Sequence, residues 1–137
     1  MNNLFLNISK NNQEKLLKLL EATKHFFKKN TNISSITNDS NNLIIIESGE
    51  IQIVRNDYNG NRVIIKDFTK NDMFGSIIFP LSNQEYEITT KEDTRLIIID
   101  YSRILNNTDN WPVYYQQFVR NLLQITTNKI NEKNKQI

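Results

Sequence analysis

The sequence predicts a mainly β domain with flanking helices, and three observations support this fold class. Between residues 30 and 100, short Ile, Val and Phe runs are broken by Asn, Asp, Gly and Ser about every 8–12 residues, which is typical of a small β-sandwich or barrel. Before and after this stretch, apolar residues recur at helical spacing. The length of 137 residues suits one domain and is enough to bury a core without disulfides or metals.

The first predicted helix covers residues 9–29. Leucines recur at helical spacing with charged residues between them, at Leu16, Leu17, Leu19 and Leu20. Asn11 and Glu14 have the spacing of a capping box, which predicts that the helix begins near them. An apolar segment, 4–8, precedes this helix.

Six apolar runs predict the strands that follow. They cover 43–46, 51–54, 63–68, 73–79, 86–90 and 96–99. The second run alternates apolar and polar residues, as in a strand with one face in solvent. Residues 57–61 lie between the second and third runs and contain Asn59-Gly60. Since this dipeptide supplies the positive φ of tight turns, we predict a hairpin there.

A second long helix is predicted over 112–136, with Pro112 in its first turn and Asp109 or Asn110 near its cap. Two apolar stripes follow its length. The first contains Tyr115, Phe118, Leu122 and Ile125, and the second contains Leu123, Ile130 and Ile137. If one stripe packs on the β domain, the other needs a partner, most simply a second copy in a two-fold dimer. The alternative is a single broad stripe on a frayed terminal helix.

Composition excludes several kinds of functional site. Three glycines without G-x-G spacing exclude a Gly-rich phosphate loop, and the absence of cysteine excludes thiol nucleophiles, disulfides and iron–sulfur clusters. The single histidine, His25, excludes a multi-histidine metal site, and we expect it to be an ordinary surface or half-buried residue. We therefore expect no metal and no cofactor.

Charge and hydropathy also limit the partners. The net charge of +2, from 17 basic and 15 acidic residues, does not favour nucleic acid or an anionic membrane. No apolar run reaches the ~18 residues that span a bilayer, and the N-terminus lacks the pattern of a secretory signal. We expect a cytoplasmic protein with no membrane partner.

The order of turns and strands between 42 and 100 resembles a known family. The strand-Gly-strand segment 43–54 is followed by Asn59-Gly60-Asn61-Arg62, by Lys70-Asn71-Asp72-Met73-Phe74-Gly75 and by the closing segment 92–100. This pattern is similar to the sensory domain of the cyclic-AMP receptor/Fnr family of bacterial transcription regulators. All three glycines of the chain fall on glycine positions of that family, and the stretch 123–130 is similar to its dimer helix.

The resemblance implies a fold and a domain organisation. Residues 1–110 are expected to form an N-terminal helical segment and a double-stranded β-helix, a cupin-like jelly roll, and residues 111–137 a C-terminal dimerisation helix. The family's DNA-binding helix-turn-helix domain is expected to be absent from this chain, so that DNA is a partner only through that further domain. A homodimer and an unknown small-molecule effector are the other partners that the resemblance implies.

Family members that bind cyclic nucleotides hold the phosphate with a Gly-Glu pair at a helix start and with a downstream arginine. Here Ser76 follows Gly75, and Gln84 stands at the arginine position with Glu85 next to it. No Lys or Arg lies between residues 70 and 91, so a phosphate buried there has no counter-charge. We therefore predict that the chain does not bind cyclic nucleotides.

The resemblance places the effector pocket between the β-roll and the long helix. Its expected lining is Phe74, Gly75, Ser76, Ile77, Gln84, Glu85, Thr126 and Thr127, and the expected dimer-helix residues are Phe118, Val119, Leu122, Leu123, Thr126 and Ile130. Relatives carry hydroxyls that reach the purine at the position of the two threonines. Alternatively, Thr126 fills a tolerant heptad position and Thr127 hydrogen-bonds its own backbone.

Two other functions stay open beside the sensory domain. One is a stand-alone module of this fold that binds a protein partner. The other is an enzyme on a cupin-type roll, which needs several histidines and a carboxylate for its metal. Glu85 and Glu87 share a strand face and have acid–base chemistry, but a solvent-facing strand explains them more simply. We expect no enzyme.

Overall fold

The computed structural model describes residues 3–37, 41–75, 86–105 and 111–135, and their side chains except at 37, 105 and 129–135. In chain order the elements are α1 (Lys10–Leu19), β1 (Thr23–Phe27), α2 (Ser34–Thr37), β2 (Asn42–Ser48), β3 (Glu50–Asn56), β4 (Arg62–Thr69), β5 (Met73–Gly75), β6 (Tyr86–Thr90), β7 (Thr94–Asp100), α3 (Tyr101–Leu105) and α4 (Val113–Lys135). None of the helices within these ranges is long and apolar enough to cross a membrane.

The strands form two antiparallel sheets, one with the order β1-β7-β2-β5 and one with the order β4-β3-β6. In the four-stranded sheet, Ile44 of β2 lies opposite Phe74 on one side and Ile98 on the other. Together the sheets enclose an apolar interior and confirm the predicted jelly-roll fold with flanking helices.

The four-stranded sheet lies between two apolar cores. Its central strands are therefore buried on both faces. The roll core lies between the sheets and contains Ile33, Ile44, Ile46, Ile51, Ile53, Phe68, Phe74, Ile88 and Leu96. The helix-side core lies between the four-stranded sheet and the helices and includes Leu16, Leu20, Leu43, Ile45, Ile97, Ile99, Tyr115 and Phe118. This arrangement explains why run 43–46 is continuously apolar, since alternate residues enter different cores.

The first predicted helix is correct only in its N-terminal half. Within the predicted range 9–29, α1 gives way to β1, which pairs with β7. Glu21 has a φ of +51°, which is incompatible with continuing the helix, and the following β-branched and aromatic residues favour a strand. The helix begins at Lys10, next to the predicted start, but its N-cap is Ser9 and not Asn11, and the Ser9 Oγ accepts the N–H of Asn12 at 3.2 Å.

The other strands lie where the apolar runs predicted them, with ends displaced by at most two residues. The fourth run is confirmed to Gly75, and its continuation to 79 lies outside the described residues. The predicted hairpin is present: the Asp57 carboxylate accepts the N–H groups of Asn59 and Asn61, and Gly60 has a φ of +80°. The sequence did not predict α2 and α3, which are too short to show a helical period.

Candidate functional site

Phe74 and Gly75, the two described β5 residues of the predicted effector pocket, are both closely packed. The side chain of Phe74 is fully buried in the roll core, and its ring centroid lies 5.4 Å from that of Phe68. At Gly75 the backbone comes so close to the carbonyl oxygen of Asn42 that a Cβ has no room. Both residues therefore fix where the chain leaves β5. The predicted pocket residues Ser76, Ile77, Gln84 and Glu85 lie outside the described residues.

Where β6 begins, a carboxylate is paired with the arginine beside it. Glu87 lies 3.3 Å from Arg62, and both side chains are more than a third exposed. The Arg62 cation on β4, two positions across the sheet from β6, is therefore engaged by a protein carboxylate. An exposed pair of this kind contributes little to stability, and it accounts for Glu87 as a solvent-facing strand residue.

The two threonines at the other wall differ in their hydrogen bonding. The Thr126 hydroxyl donates to the backbone carbonyl of Leu122 at 2.8 Å, whereas the Thr127 side chain is exposed. The backbone hydrogen bond that we considered for Thr127 thus belongs to Thr126. Such a bond to the preceding turn is usual for a threonine inside a helix.

The first predicted stripe of α4 docks the helix on the roll. Tyr115, Phe118 and Ile125 are buried in the helix-side core. The Tyr115 hydroxyl donates to the carbonyl of Ile104 at 2.6 Å, and burial raises the pKa of this hydroxyl above its ordinary value. Trp111 stands over the same ring, with 4.8 Å between the centroids. The predicted cap residues 109 and 110 lie outside the described residues.

Asn121 is a further residue of this interface that the sequence did not single out. Its side chain is buried, and its amide Nδ2 donates to the carbonyl oxygens of Leu4 and Leu6 at 2.8 Å each. Its Oδ1 accepts from Gln117 Nε2 at 2.9 Å. Asn121 thereby ties the N-terminal segment to α4. Its position between Phe118 and the next apolar turn was the only available signal.

Leu123, the member of the second stripe whose side chain the structure describes, faces away from the roll. Leu123 is 63% exposed, and Val119 and Thr126 are half-buried beside it. Phe118, which we expected among the dimer-helix residues, is fully buried within its own chain. Leu122 also packs partly against the helix-side core. The side chain of Ile130 lies outside the described residues.

Metal-binding groups are scattered in the structure. Among the described residues no three His, Asp or Glu side chains are placed to hold one ion. His25 lies on β1 with an exposed side chain, and its Nε2 is 2.9 Å from the Thr23 hydroxyl. It is therefore a surface residue, as expected.

Comparisons with known proteins agree with this architecture. Residues 24–109 match the family model of the cyclic nucleotide-binding domain. A search of curated protein sequences gave no significant match. The chain is similar in structure to the catabolite activator protein of Thermus thermophilus, with 15% identity and a TM-score of 0.65, over 97% of this chain and 60% of that chain. It therefore spans less than two thirds of the Thermus protein.

Two further solved structures have the same fold. The N-terminal domain of a transcriptional regulator from Streptomyces coelicolor A3(2) is 11% identical with a TM-score of 0.65, covering 96% of this chain and 91% of that one. A CooA mutant from Carboxydothermus hydrogenoformans is 16% identical with a TM-score of 0.63, covering 98% and 85%. At these identities the likeness establishes the fold alone.

Proposed function

The chain belongs to the cyclic nucleotide-binding domain family, and from that membership we propose that it is the effector-sensing and dimerisation domain of a cytoplasmic transcription regulator of the cyclic-AMP receptor/Fnr type that does not bind cyclic nucleotides. The observation that supports this best is α4, a 23-residue helix docked on the roll by one apolar stripe while Leu123 stays exposed on another. An exposed leucine on a long helix is stabilised by burial against a second copy.

The similarity to regulator structures supports the same proposal. The matched proteins include an activator protein and the N-terminal domain of a transcriptional regulator. In such a dimer, a signal received by the roll changes the angle between the two α4 helices and so re-aims the DNA-binding domains that follow them. Those domains are the route by which this domain acts on DNA.

The charge pattern supports the part of the proposal that concerns the ligand. Residues 71–90 contain no Lys or Arg. Arg62, on the strand two positions across the sheet, is already paired with Glu87. A cyclic phosphate taken out of water against this segment loses its hydration without gaining a charged donor from it. This charge pattern supports the proposal that the effector is not a cyclic nucleotide.

We predict that cyclic AMP does not stabilise the domain. A ligand with a Kd of about 10 μM, present at about 1 mM, stabilises a native protein by about 2.7 kcal/mol, which raises the Tm of a domain of this size by about 5–10 °C. We expect a shift smaller than about 1 °C in differential scanning fluorimetry with cyclic AMP or cyclic GMP. A saturable shift of several degrees contradicts the prediction.

We predict that Leu123→Glu converts a dimer into a monomer. A carboxylate at this position has to be buried without a partner when two α4 helices pack, whereas in the monomer it stays in solvent. Sedimentation equilibrium on wild type and variant checks the mass, with circular dichroism to show equal folding. Gln124→Glu is the matched control, because it adds the same charge one residue further along α4. Wild-type protein that is monomeric at high micromolar concentration contradicts dimerisation.

A further inference from the structure

A cleft of about 410 Å³ opens on the helix-facing side of the four-stranded sheet. Its walls come from the N-terminal segment, from α1, from strands β1, β2 and β7, and from the turn between β4 and β5. The volume is within the range of about 300–1,000 Å³ usual for small-molecule sites. None of the described residues of the predicted effector pocket lines it, so it is a separate place on the molecule.

The inner part of the cleft is apolar. Leu17 of α1 and the strand residues Ile45 and Ile97 line it, and the ring of Phe5 lies at its wall. All three aliphatic side chains belong to the helix-side core and are at least nine-tenths buried. The cleft is thus a place where the edge of a packed core reaches the surface, and it offers a firm apolar floor to an apolar group.

The rim of the cleft is charged, with an excess of lysine. Lys10, Lys24 and Lys70 line it together with Glu14 and Glu47. Lys24 is neutralised by Glu47, with 3.3 Å between Nζ and Oε2. Among the described residues Lys10 and Lys70 form no ion pair. The first turn of α1 carries no acidic residue, so the positive end of the helix dipole adds to the charge of Lys10.

We propose that this cleft binds a small monoanionic amphiphile, a carboxylate with an aromatic or aliphatic body, through Lys10 and Lys70. The body contacts the half-buried ring of Phe5 at the wall and removes its apolar surface from water. One negative charge matches the excess of one lysine over the two glutamates of the rim. A dianion is disfavoured because its second negative charge is repelled by Glu14 and Glu47. A neutral ligand is disfavoured because it gives Lys10 and Lys70 no counter-charge.

The wall of the cleft is connected to α4. The ring of Phe5 lies 6.5 Å from that of Phe118, and the carbonyl groups on either side of Phe5 accept the amide of Asn121. A ligand that contacts Phe5 therefore contacts a segment that α4 holds in place. Binding in the cleft does not depend on the proposed regulatory function.

The test uses 2-naphthoate as the probe and its uncharged analogue 2-naphthalenemethanol, with affinities measured by calorimetry and the site located by backbone amide shifts in NMR spectra. We expect saturable naphthoate binding, amide shifts at Leu17 and Ile45, and an affinity about tenfold lower for Lys70→Glu. Lys91→Glu, in the turn between β6 and β7, is the matched control and is expected to bind like wild type. The alcohol is expected to bind more weakly and to be insensitive to both substitutions.

Three outcomes overturn the proposal. They are no saturable naphthoate binding up to about 10 mM, equal affinities for Lys70→Glu and Lys91→Glu, or shifts confined to roll-core residues such as Ile53 and Ile88. Since Lys70 is exposed, the variant is expected to fold, and Lys10→Glu supplies an independent second variant. Dimerisation and cyclic-nucleotide binding are not read out here, so failure of this site is distinguishable from failure of the proposed function.

Discussion

Replacing Phe118 by alanine is expected to lower the free energy of unfolding by about 3–5 kcal/mol. The ring is fully buried between α4 and the four-stranded sheet, with the rings of Phe5 and Tyr115 at 6.5 Å and 6.3 Å. Truncation leaves a cavity that rigid strands on one side and a hydrogen-bonded helix on the other cannot close. Urea denaturation followed by circular dichroism measures the loss, because the midpoint falls while the slope is unchanged.

Leu123→Ala on the same helix is the matched control for this prediction. The leucine is 63% exposed, so its truncation in the monomer is expected to change stability by no more than about 0.5 kcal/mol. Phe118→Leu adds an intermediate step, since most of the side-chain volume is retained and the cost is smaller. If Leu123→Ala costs as much as Phe118→Ala under monomeric conditions, the assignment of the two α4 stripes to an inner and an outer face is contradicted.

The two stripes of α4 also show what the sequence was able to predict. A helix with 3.6 residues per turn places Phe118 and Leu123 on different faces, so the sequence alone assigns them to different stripes. It does not reveal which stripe meets the roll, because both consist of apolar residues. The structure decides this through burial, and it places Phe118 inside although we had expected it among the dimer-helix residues.

The error over residues 23–29 has a different physical origin. Charged residues between apolar ones fit both a helix and an edge strand, and β1 is an edge strand whose residues are mostly exposed. Pairing with β7, about 70 positions later in the chain, selects the strand. Long-range pairing of this kind overrides local propensity and leaves no local pattern.

The candidate sites also differ in whether local sequence or long-range packing brings their residues together. Gly75 and the threonines of α4 were recognised from the family pattern, and their chemistry was inferred from neighbours in sequence. The lysines at the rim of the cleft were not recognised, because Lys10 and Lys70 lie 60 residues apart and come together only through packing of α1 on the sheet. The role of Asn121 was also not recognised from the sequence, because its hydrogen-bond partners are carbonyl groups of the distant N-terminal segment.

Gly49→Ala is expected to destabilise the domain by about 3–5 kcal/mol, and Gly60→Ala by only about 1–2 kcal/mol. Both glycines have positive φ, +97° and +80°, so the backbone cost of adding a side chain is similar in the two turns. They differ in the space around them: a Cβ at Gly60 has no neighbour within 4 Å, whereas at Gly49 it meets the Asp93 carbonyl oxygen and the Thr94 Oγ1 at 2.5 Å.

Relief of that clash is blocked because the neighbours of Gly49 are themselves fixed. Thr94 is fully buried, and its hydroxyl is 2.9 Å from the Glu92 carbonyl and 3.3 Å from the Glu50 carbonyl, so moving it breaks hydrogen bonds at the β2–β3 junction. The difference between the two variants therefore isolates close packing from backbone strain. Thermal melts of both proteins measure it. Equal melting temperatures contradict the close approach of Gly49 to β7, whereas a large excess loss for Gly49→Ala means that this turn requires glycine for its lack of a Cβ as well as for its φ.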